Sequence, residues 1–399
     1  MSTKCFFRSF DVGKGDCCVI RLENDDGEQY VIMVDCGKYT VSLKEYLQNK
    51  LHNHIDLLIA THIDGDHILG LTTMLRKHKC LTIGEIWFNC YKRAEGSRCV
   101  ELDEQQKAIL SQIKKELPVE FDAINYREIS APQGMSLVRT ILEHEEFKRA
   151  WKMDYITVDA ESFNLPKGFG KIVFLSPEPN ALKMVEKKFK DAFDKYFMQS
   201  WDESIENVEE LQELLIRLVD TYTDKFAAKQ ISAKSKAVYN AAFVREQAKE
   251  EDADNSDTNY SSIAFMLECG EHKIAMLGDA FASTIENAID TKYMYKDKPI
   301  ECDAIKVSHH GSSRNNSKAL FERINSHLFF ISGGNGEEYP TWGTFGKIAE
   351  THKDTQIKKI VFSHSCDITE KINGLTEADK RELGVVTIIT EQEYELFEW

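Results

Sequence analysis

Thr61-His62-Ile63-Asp64-Gly65-Asp66-His67 sets two imidazoles and two carboxylates within six positions. The apolar run Ile55 to Ala60 leads directly into it and predicts a strand. The residues that follow, ILGLTTMLRKH, have helical spacing at Ile68, Leu71, Met74 and Leu75. The cluster therefore falls at a strand-to-helix junction, where a loop can turn all four side chains inward. A regular helix or strand would spread them over several faces. The plain alternative is a polar loop whose aspartates cap the helix, a role Asp fills readily. Two imidazoles and two carboxylates beside an apolar strand are better explained as ligands of a divalent metal.

Three further places repeat the pattern. Asp35 ends the apolar run VIMVDCG, Asp279 ends KIAMLGDA, and His309-His310 follow AIKVSHHGSS. Each alone reads as a turn or cap residue, because Asp and Gly punctuate strands. Four strands ending together would instead deliver acids and imidazoles to one rim. The number of groups suits two divalent cations with a shared carboxylate and an activated water as nucleophile.

From Cys5 to Gly37 short β-type runs (CFFRSF, CCVIRL, YVIMVDCG) alternate with the turn formers DVGKGD and ENDDGE. A helix is expected over 41–51, strand character at 83–88, a helix at 101–116, and several short strands over 119–176 ending in KIVFLSP. The stretch 180–257 differs. Leu182, Val185, Phe189, Phe193 and Phe197 recur at three- and four-residue steps, as do Val208, Leu211, Leu215, Leu218 and Tyr222. It reads as a helical insertion closed by KEEDADNSDTN, a charged run expected to be a solvated loop. Strands resume in SIAFMLECG and HKIAMLGDA, then alternate with helices to KKIVFS and VVTIIT. The expected layout is two sheets with helices around them.

FDVGKGD, VDCG, THIDGDHILG, the N-x-S-S-I strand leading to LGDA, and SHHGSS resemble, in this order, the signature of the metallo-β-lactamase superfamily. Within it they look like the branch of the soluble hydrolase domain of the DNA-uptake protein ComEC. The resemblance covers about residues 5–90 and 258–366. It implies an α/β fold, an αββα four-layer sandwich, here a single domain over 1–399 carrying the insertion. It also implies hydrolysis at a centre of two divalent metal ions, Zn or Mn. Carried over, His62 and Asp64 would bind one ion and Asp66 and His67 the other. Asp279 would bridge, and a histidine of the His309-His310 pair would complete the set. Asp66, His67 and Asp35 are the expected catalytic residues, Asp35 by orienting the loop through hydrogen bonds. Asp11 and Asp16 match a glycine-containing loop near the site.

Two departures stand out. Asp64 replaces the histidine of the commoner form, which hardens the site toward Mn²⁺. The branch's Tyr-Gly-His-Pro segment is replaced by Gly334-Asn335-Gly336-Glu337-Glu338-Tyr339-Pro340, so its histidine is missing. Water, metal alone or another residue such as His364 must then serve the leaving group. No clear middle histidine of the broader fold stands between residues 70 and 258; His144 reads as helical and exposed. After the histidine pair, Ser312, Ser313 and Arg314 read as helix-capping residues and also as a phosphate cradle, to which Lys14 adds charge.

Composition narrows the function classes. Of 399 residues, 42% are hydrophobic and 29% charged, with 7 prolines, which excludes fibrous and disordered classes. No run approaches the roughly 20 apolar residues of a membrane span and no apolar signal centre follows the first residues, so a cytoplasmic protein without membrane contact is expected. Ten cysteines without a C-x-x-C pair point to reduced, buried thiols. Fifty basic against 66 acidic residues give a net charge of −16, which disfavours a global grip on nucleic acid. That charge does not decide the substrate, because Asp35, Asp64, Asp66 and Asp279 would face cations. The leading expectation is a metal-dependent phosphodiesterase or nuclease. The alternatives are hydrolysis of a thioester, lactone or amide, and a partner-regulated effector subunit of a defence-type assembly. In the last case the insertion would serve as lid or docking surface for a partner or a second subunit.

Overall fold

The computed structural model describes residues 2–89, 130–152, 154–185, 238–296, 298–334, 339–352 and 356–399. Among them, two large sheets lie face to face. The first has the order β16-β1-β2-β3-β4-β5. Its strands are β1 (Thr3–Ser9), β2 (Cys18–Asn24), β3 (Gln29–Val34), β4 (His54–Ala60), β5 (Thr82–Phe88) and β16 (Tyr394–Glu398). The second has the order β15-β14-β13-β11-β9-β8-β7-β6. It comprises β6 (Phe163–Asn164), β7 (Lys171–Ser176), β8 (Ala264–Cys269), β9 (His272–Met276), β11 (Ala304–Lys306), β13 (Leu328–Ile331), β14 (Lys358–Phe362) and β15 (Val385–Ile389). A small parallel pair joins β10 (Ile300–Cys302) to β12 (Ile324–Ser326).

Alternation along the strands divides the interior into three cores, because successive side chains point to opposite faces. Tyr30, Ile32 and Val34 of β3 face Phe265, Leu267 and Phe330 of the other sheet, forming the layer between the sheets. Their neighbours Val31 and Met33 face outward, onto the helices Val41–Asn49 and Gly65–Lys77 through Leu43, Leu47, Ile68 and Leu71. On the far side Ala264, Met266, Ala275 and Ile305 meet Ile285, Ile289, Phe345 and Ile348 of the helices Ala282–Lys292 and Trp342–Glu350. Each fully buried Leu, Ile or Phe contributes about 1.5–3 kcal/mol. The result is an αββα sandwich, the layer order expected above.

The parallel strands matter for the site. β3 and β4 are parallel neighbours in one sheet, and β9 and β11 in the other. Their carboxyl ends meet at one rim, where Ile263 N–H donates to Thr61 O and His309 N–H to Gly278 O across the gaps.

Two expectations are corrected and one strand is added. Part of the region expected to hold short strands over 119–176 is helical, at Ser130–Glu143 and Glu145–Ala150. There Leu137, Val138 and Ile141 bury a face at helical spacing against the Gly65–Lys77 helix. The terminal segment YELFE is a strand, β16, antiparallel to β1. It covers an edge that β1 would otherwise expose. The run KEEDADNSDTN is not simply solvated, since Asp254, Thr258 and Asn259 turn into the rim. Most of the helical insertion, including Phe189, Phe193, Phe197 and the 208–222 stripe, lies outside the described residues. Its described C-terminal flank, the helix Ala241–Gln247, packs on Trp342–Glu350. A Cβ at Gly346 would stand 2.6 Å from Val244 O, so glycine permits that approach.

No helix among the described residues is long and apolar enough to cross a membrane. The described cysteines are free, and Cys5, Cys17, Cys18, Cys36, Cys269 and Cys302 are buried.

Candidate metal centre

Asp64 decides between the two readings of the opening cluster. It occupies the N-cap position of the Gly65–Lys77 helix, yet its side chain makes no capping hydrogen bond. Its carboxylate instead accepts the Thr258 hydroxyl at 3.0 Å. The loop is held down by backbone contacts rather than by its acids. Asp16 N–H donates to Asp66 O, and Cys36 N–H to His67 O. Two glycines from different loops make this possible, since a Cβ would stand 1.8 Å from Asp66 O at Gly15 and 2.1 Å at Gly37.

His309 and His310 follow β11 with φ of 46° and 51°, and Gly311 continues at 82°. Consecutive non-glycine residues in the left-handed region are costly, about 1–3 kcal/mol each. The turn is anchored from both sides: Asn316 Nδ2 donates to Ser308 O and Ser312 O, and its Oδ1 accepts Ser308 N–H. The strained turn brings both imidazoles to the rim.

Four histidines present the same chemistry. Their Nδ1 atoms face supporting groups while their Nε2 atoms face Asp279 Oδ2. His67 Nδ1 is 2.8 Å from Asp35 Oδ2. His310 Nδ1 is 3.0 Å from both Ser332 O and Asp16 Oδ1. His309 Nδ1 is 2.8 Å from Asn315 Oδ1, and His62 Nδ1 is 3.0 Å from Thr61 Oγ1, whose hydroxyl donates to Asp35. These partners fix the tautomer with the proton on Nδ1 and leave the Nε2 lone pairs inward. Distances from Nε2 to Asp279 Oδ2 are 4.0 Å for His62, 3.3 Å for His67 and 3.8 Å for both His309 and His310. Asp64 Oδ2 is 3.6 Å from His62 Nε2, and Asp66 Oδ2 is 3.2 Å from His310 Nε2.

Divalent cations fit this donor set. His62 Nε2, His67 Nε2, His310 Nε2 and Asp279 Oδ1 are buried and make no hydrogen bond among the described residues. Such atoms are costly unless something else engages them. Ligand atoms of His62, His67 and Asp279, and of Asp66, His67 and His310, each lie within 4.8 Å of one another. Without a cation the surrounding acids draw a second proton onto these imidazoles, a charge that a bound cation would replace. Burial opposes protonation of His67, but Asp279 and Asp35 outweigh it and hold the imidazole well above its usual value. Burial likewise opposes His310, which Asp16 and Asp279 push up to about 10. Asp279, despite its burial, is held well below the carboxylate range by His67, His309 and His310.

Sequence reasoning marked most of these residues and missed others. Lys306 and Asp16 form a fully buried ion pair behind His310, with Ser332 Oγ on the same carboxylate. A lysine within the apolar strand AIKV was the available signal. Asp254, Asn259 and Asn315 carry no motif and gather only in the fold. Ser312 and Ser313 are buried, and the adjacent helix Lys318–Arg323 is capped by Ser317 instead. Arg314 lines a cleft of about 300 Å³ with Asp254, Glu286 and Lys318. Lys14 is exposed on the loop packed against Asp66. His364 Nδ1 is 2.8 Å from Asp11 Oδ1. Tyr339, next to the segment that lacks a histidine, sets its ring 4.7 Å from that of His309. His144, expected to be helical and exposed, is the half-buried N-cap residue before the Glu145–Ala150 helix.

Fold and site together define an αββα sandwich with a candidate metal centre at one rim. Residues 11–125 match the family model of the metallo-beta-lactamase superfamily. Similar solved structures include the metallo-beta-lactamase fold protein YhfI from Bacillus subtilis (10% identity, 99% of this chain and 100% of that one, TM-score 0.34). Others are a diphosphatase from the PhnP family (11%, 100% and 98%, 0.36) and a mutant of the CmlA beta-hydroxylase (11%, 98% and 54%, 0.38). No curated protein matches the sequence.

Proposed function

We propose that this protein is a metal-dependent hydrolase acting on phosphodiesters, with a nucleic acid as the foremost substrate class. The supporting observation is the convergence of four inward Nε2 atoms and the Asp64 and Asp66 carboxylates around Asp279. In this reading His62 and Asp64 hold one Zn²⁺ or Mn²⁺ ion, Asp66, His67 and His310 hold a second, and Asp279 lies between them. Divalent cations bound there supply Lewis acidity toward a phosphoryl oxygen and lower the pKa of a nearby water. Asp35 and Asp16 keep His67 and His310 in the ligating tautomer. Lys14 and Arg314 bring positive charge for a phosphate to the rim of a chain that is acidic overall. The ordered motifs quoted above support placement in the ComEC-like branch.

The test is turnover by purified protein supplied with Mn²⁺ or Zn²⁺. Cleavage of DNA, RNA or a bis-aryl phosphodiester is expected, with none from the Asp66→Ala, His67→Ala double variant. No phosphodiester turnover by metal-replete protein refutes the proposal. Thioester, lactone and amide substrates run in parallel identify carbonyl hydrolysis.

A further inference from the structure

The two histidines of the left-handed turn are supported differently. His310 Nδ1 lies against the Asp16 carboxylate, as His67 Nδ1 lies against that of Asp35. His309 Nδ1 faces an amide, Asn315 Oδ1. The nearest carboxylate, Asp254, stands 3.7 Å away and acts one step removed. Asp254 Oδ2 accepts Asn315 Nδ2 at 2.9 Å and Asn259 Nδ2 at 2.6 Å. Because Asn315 Nδ2 also donates to Asp279 O at 3.0 Å, the amide is fixed with its oxygen toward His309. The same short segment reaches the other side of His62, where the Thr258 hydroxyl holds Asp64. Its backbone is pinned beside the histidine turn, Asp254 N–H donating to Arg314 O at 3.3 Å.

We infer that His309 is a terminal metal ligand, completing with His62 and Asp64 the ion site on their side of Asp279. In the same inference the segment 254–259 positions that site through Asp254 and Thr258. The inference rests on the two-ion reading above. His309 Nε2 lies as close to Asp279 Oδ2 as His310 Nε2 does, 3.8 Å, and supplies the imidazole that no middle histidine provides. It follows that the two ions are held unequally. A carboxylate behind an imidazole raises its basicity more than an amide does. The His309 side chain is also more open, 16% exposed against 3% for His310 and none for His67. The ion on the His62–Asp64–His309 side is therefore the looser one, and its affinity is set by the segment 254–259.

Equilibrium dialysis of the full-length chain against Mn²⁺ or Zn²⁺, with elemental analysis, tests this apart from turnover. The unmodified protein should bind two equivalents with distinct affinities. His309→Ala, Asp254→Ala and Thr258→Val should weaken the looser equivalent by about 10- to 100-fold and leave the tighter one unchanged. Asp16→Asn should weaken the tighter one. Thr258→Val removes only a hydroxyl, so it decides the case if Asp254→Ala fails to fold. Both ions retained at full affinity in the His309 and Asp254 variants, or both lost together, overturn the inference. A single equivalent in the unmodified protein refutes the two-ion reading and this inference with it. Two equivalents without phosphodiester turnover refute only the proposed substrate.

Discussion

Asp35 Oδ2 lies 2.8 Å from His67 Nδ1 and accepts its proton, while Asp35 Oδ1 accepts the Thr61 backbone N–H at 2.7 Å. One buried carboxylate thus ties the end of β4 to the first turn of the following helix and aims His67 Nε2 at Asp279. Asp35 itself sits at φ 59°, which Asn also tolerates. Asp35→Asn should keep the backbone and the fold but present no second charged acceptor to His67. Metal affinity is expected to fall about 10- to 100-fold. Titration with a competing chelator measures it, and unchanged affinity would show that Asp35 serves only the fold.

Lys306 and Asp16 are both buried and paired. Lys306→Met leaves the Asp16 carboxylate without its cation, and removing one partner of a buried pair costs about 3–5 kcal/mol. The double variant Asp16→Asn, Lys306→Met should recover much of that stability, because no lone charge remains. Urea denaturation of the four proteins gives the coupling; equal loss in single and double variants contradicts it.

Gly15 has no room for a side chain. A Cβ there would meet Asp66 O at 1.8 Å, a backbone atom that cannot swing away. Gly15→Ala should push the 11–16 loop off the metal loop, break the Asp16 N–H to Asp66 O bond and displace Asp66. Loss of ion binding together with about 1–3 kcal/mol of stability is expected, the usual size of a forced overpacking. Gly13→Ala, in the same loop, meets no atom within 4 Å at its Cβ. It should retain ion binding despite strain at φ 78°.

Lys358 gives a pH signature far from the metals. Its Nζ donates to Ile348 O at 2.6 Å and to Thr351 O, and burial pushes its pKa down to about 8 against the weaker pull of Glu350. The unfolded chain keeps this proton to about 10.5. Between those values the unfolded state binds more protons, so stability rises with pH. Relative to Lys358→Met, the unmodified protein should gain up to about 3 kcal/mol from pH 8 to 10.5. Parallel melting curves of the two proteins across that range would falsify this.

The sequence by itself determined the two-sheet layout and most of the acids and imidazoles that gather at the rim, for a local reason. Strand alternation and the residue that ends each strand are encoded within a few positions, and Asp35, His62, Asp64, Asp66, His67, Asp279 and the His309-His310 pair all lie at or just beyond strand ends. Local pattern does not distinguish the helical face at 130–150 from short strands, nor mark β16, whose partner β1 lies at the far end of the chain. Tertiary structure alone decided what stands behind each imidazole. Asp16 meets Lys306 290 residues away, and Thr258 meets Asp64 across 194. A hydrogen bond between such distant residues leaves no periodicity or spacing in either segment. For the same reason KEEDADNSDTN reads as a solvated acidic run, although Asp254 and Asn259 meet Asn315 only once the start of β8 and the end of β11 come to the same rim.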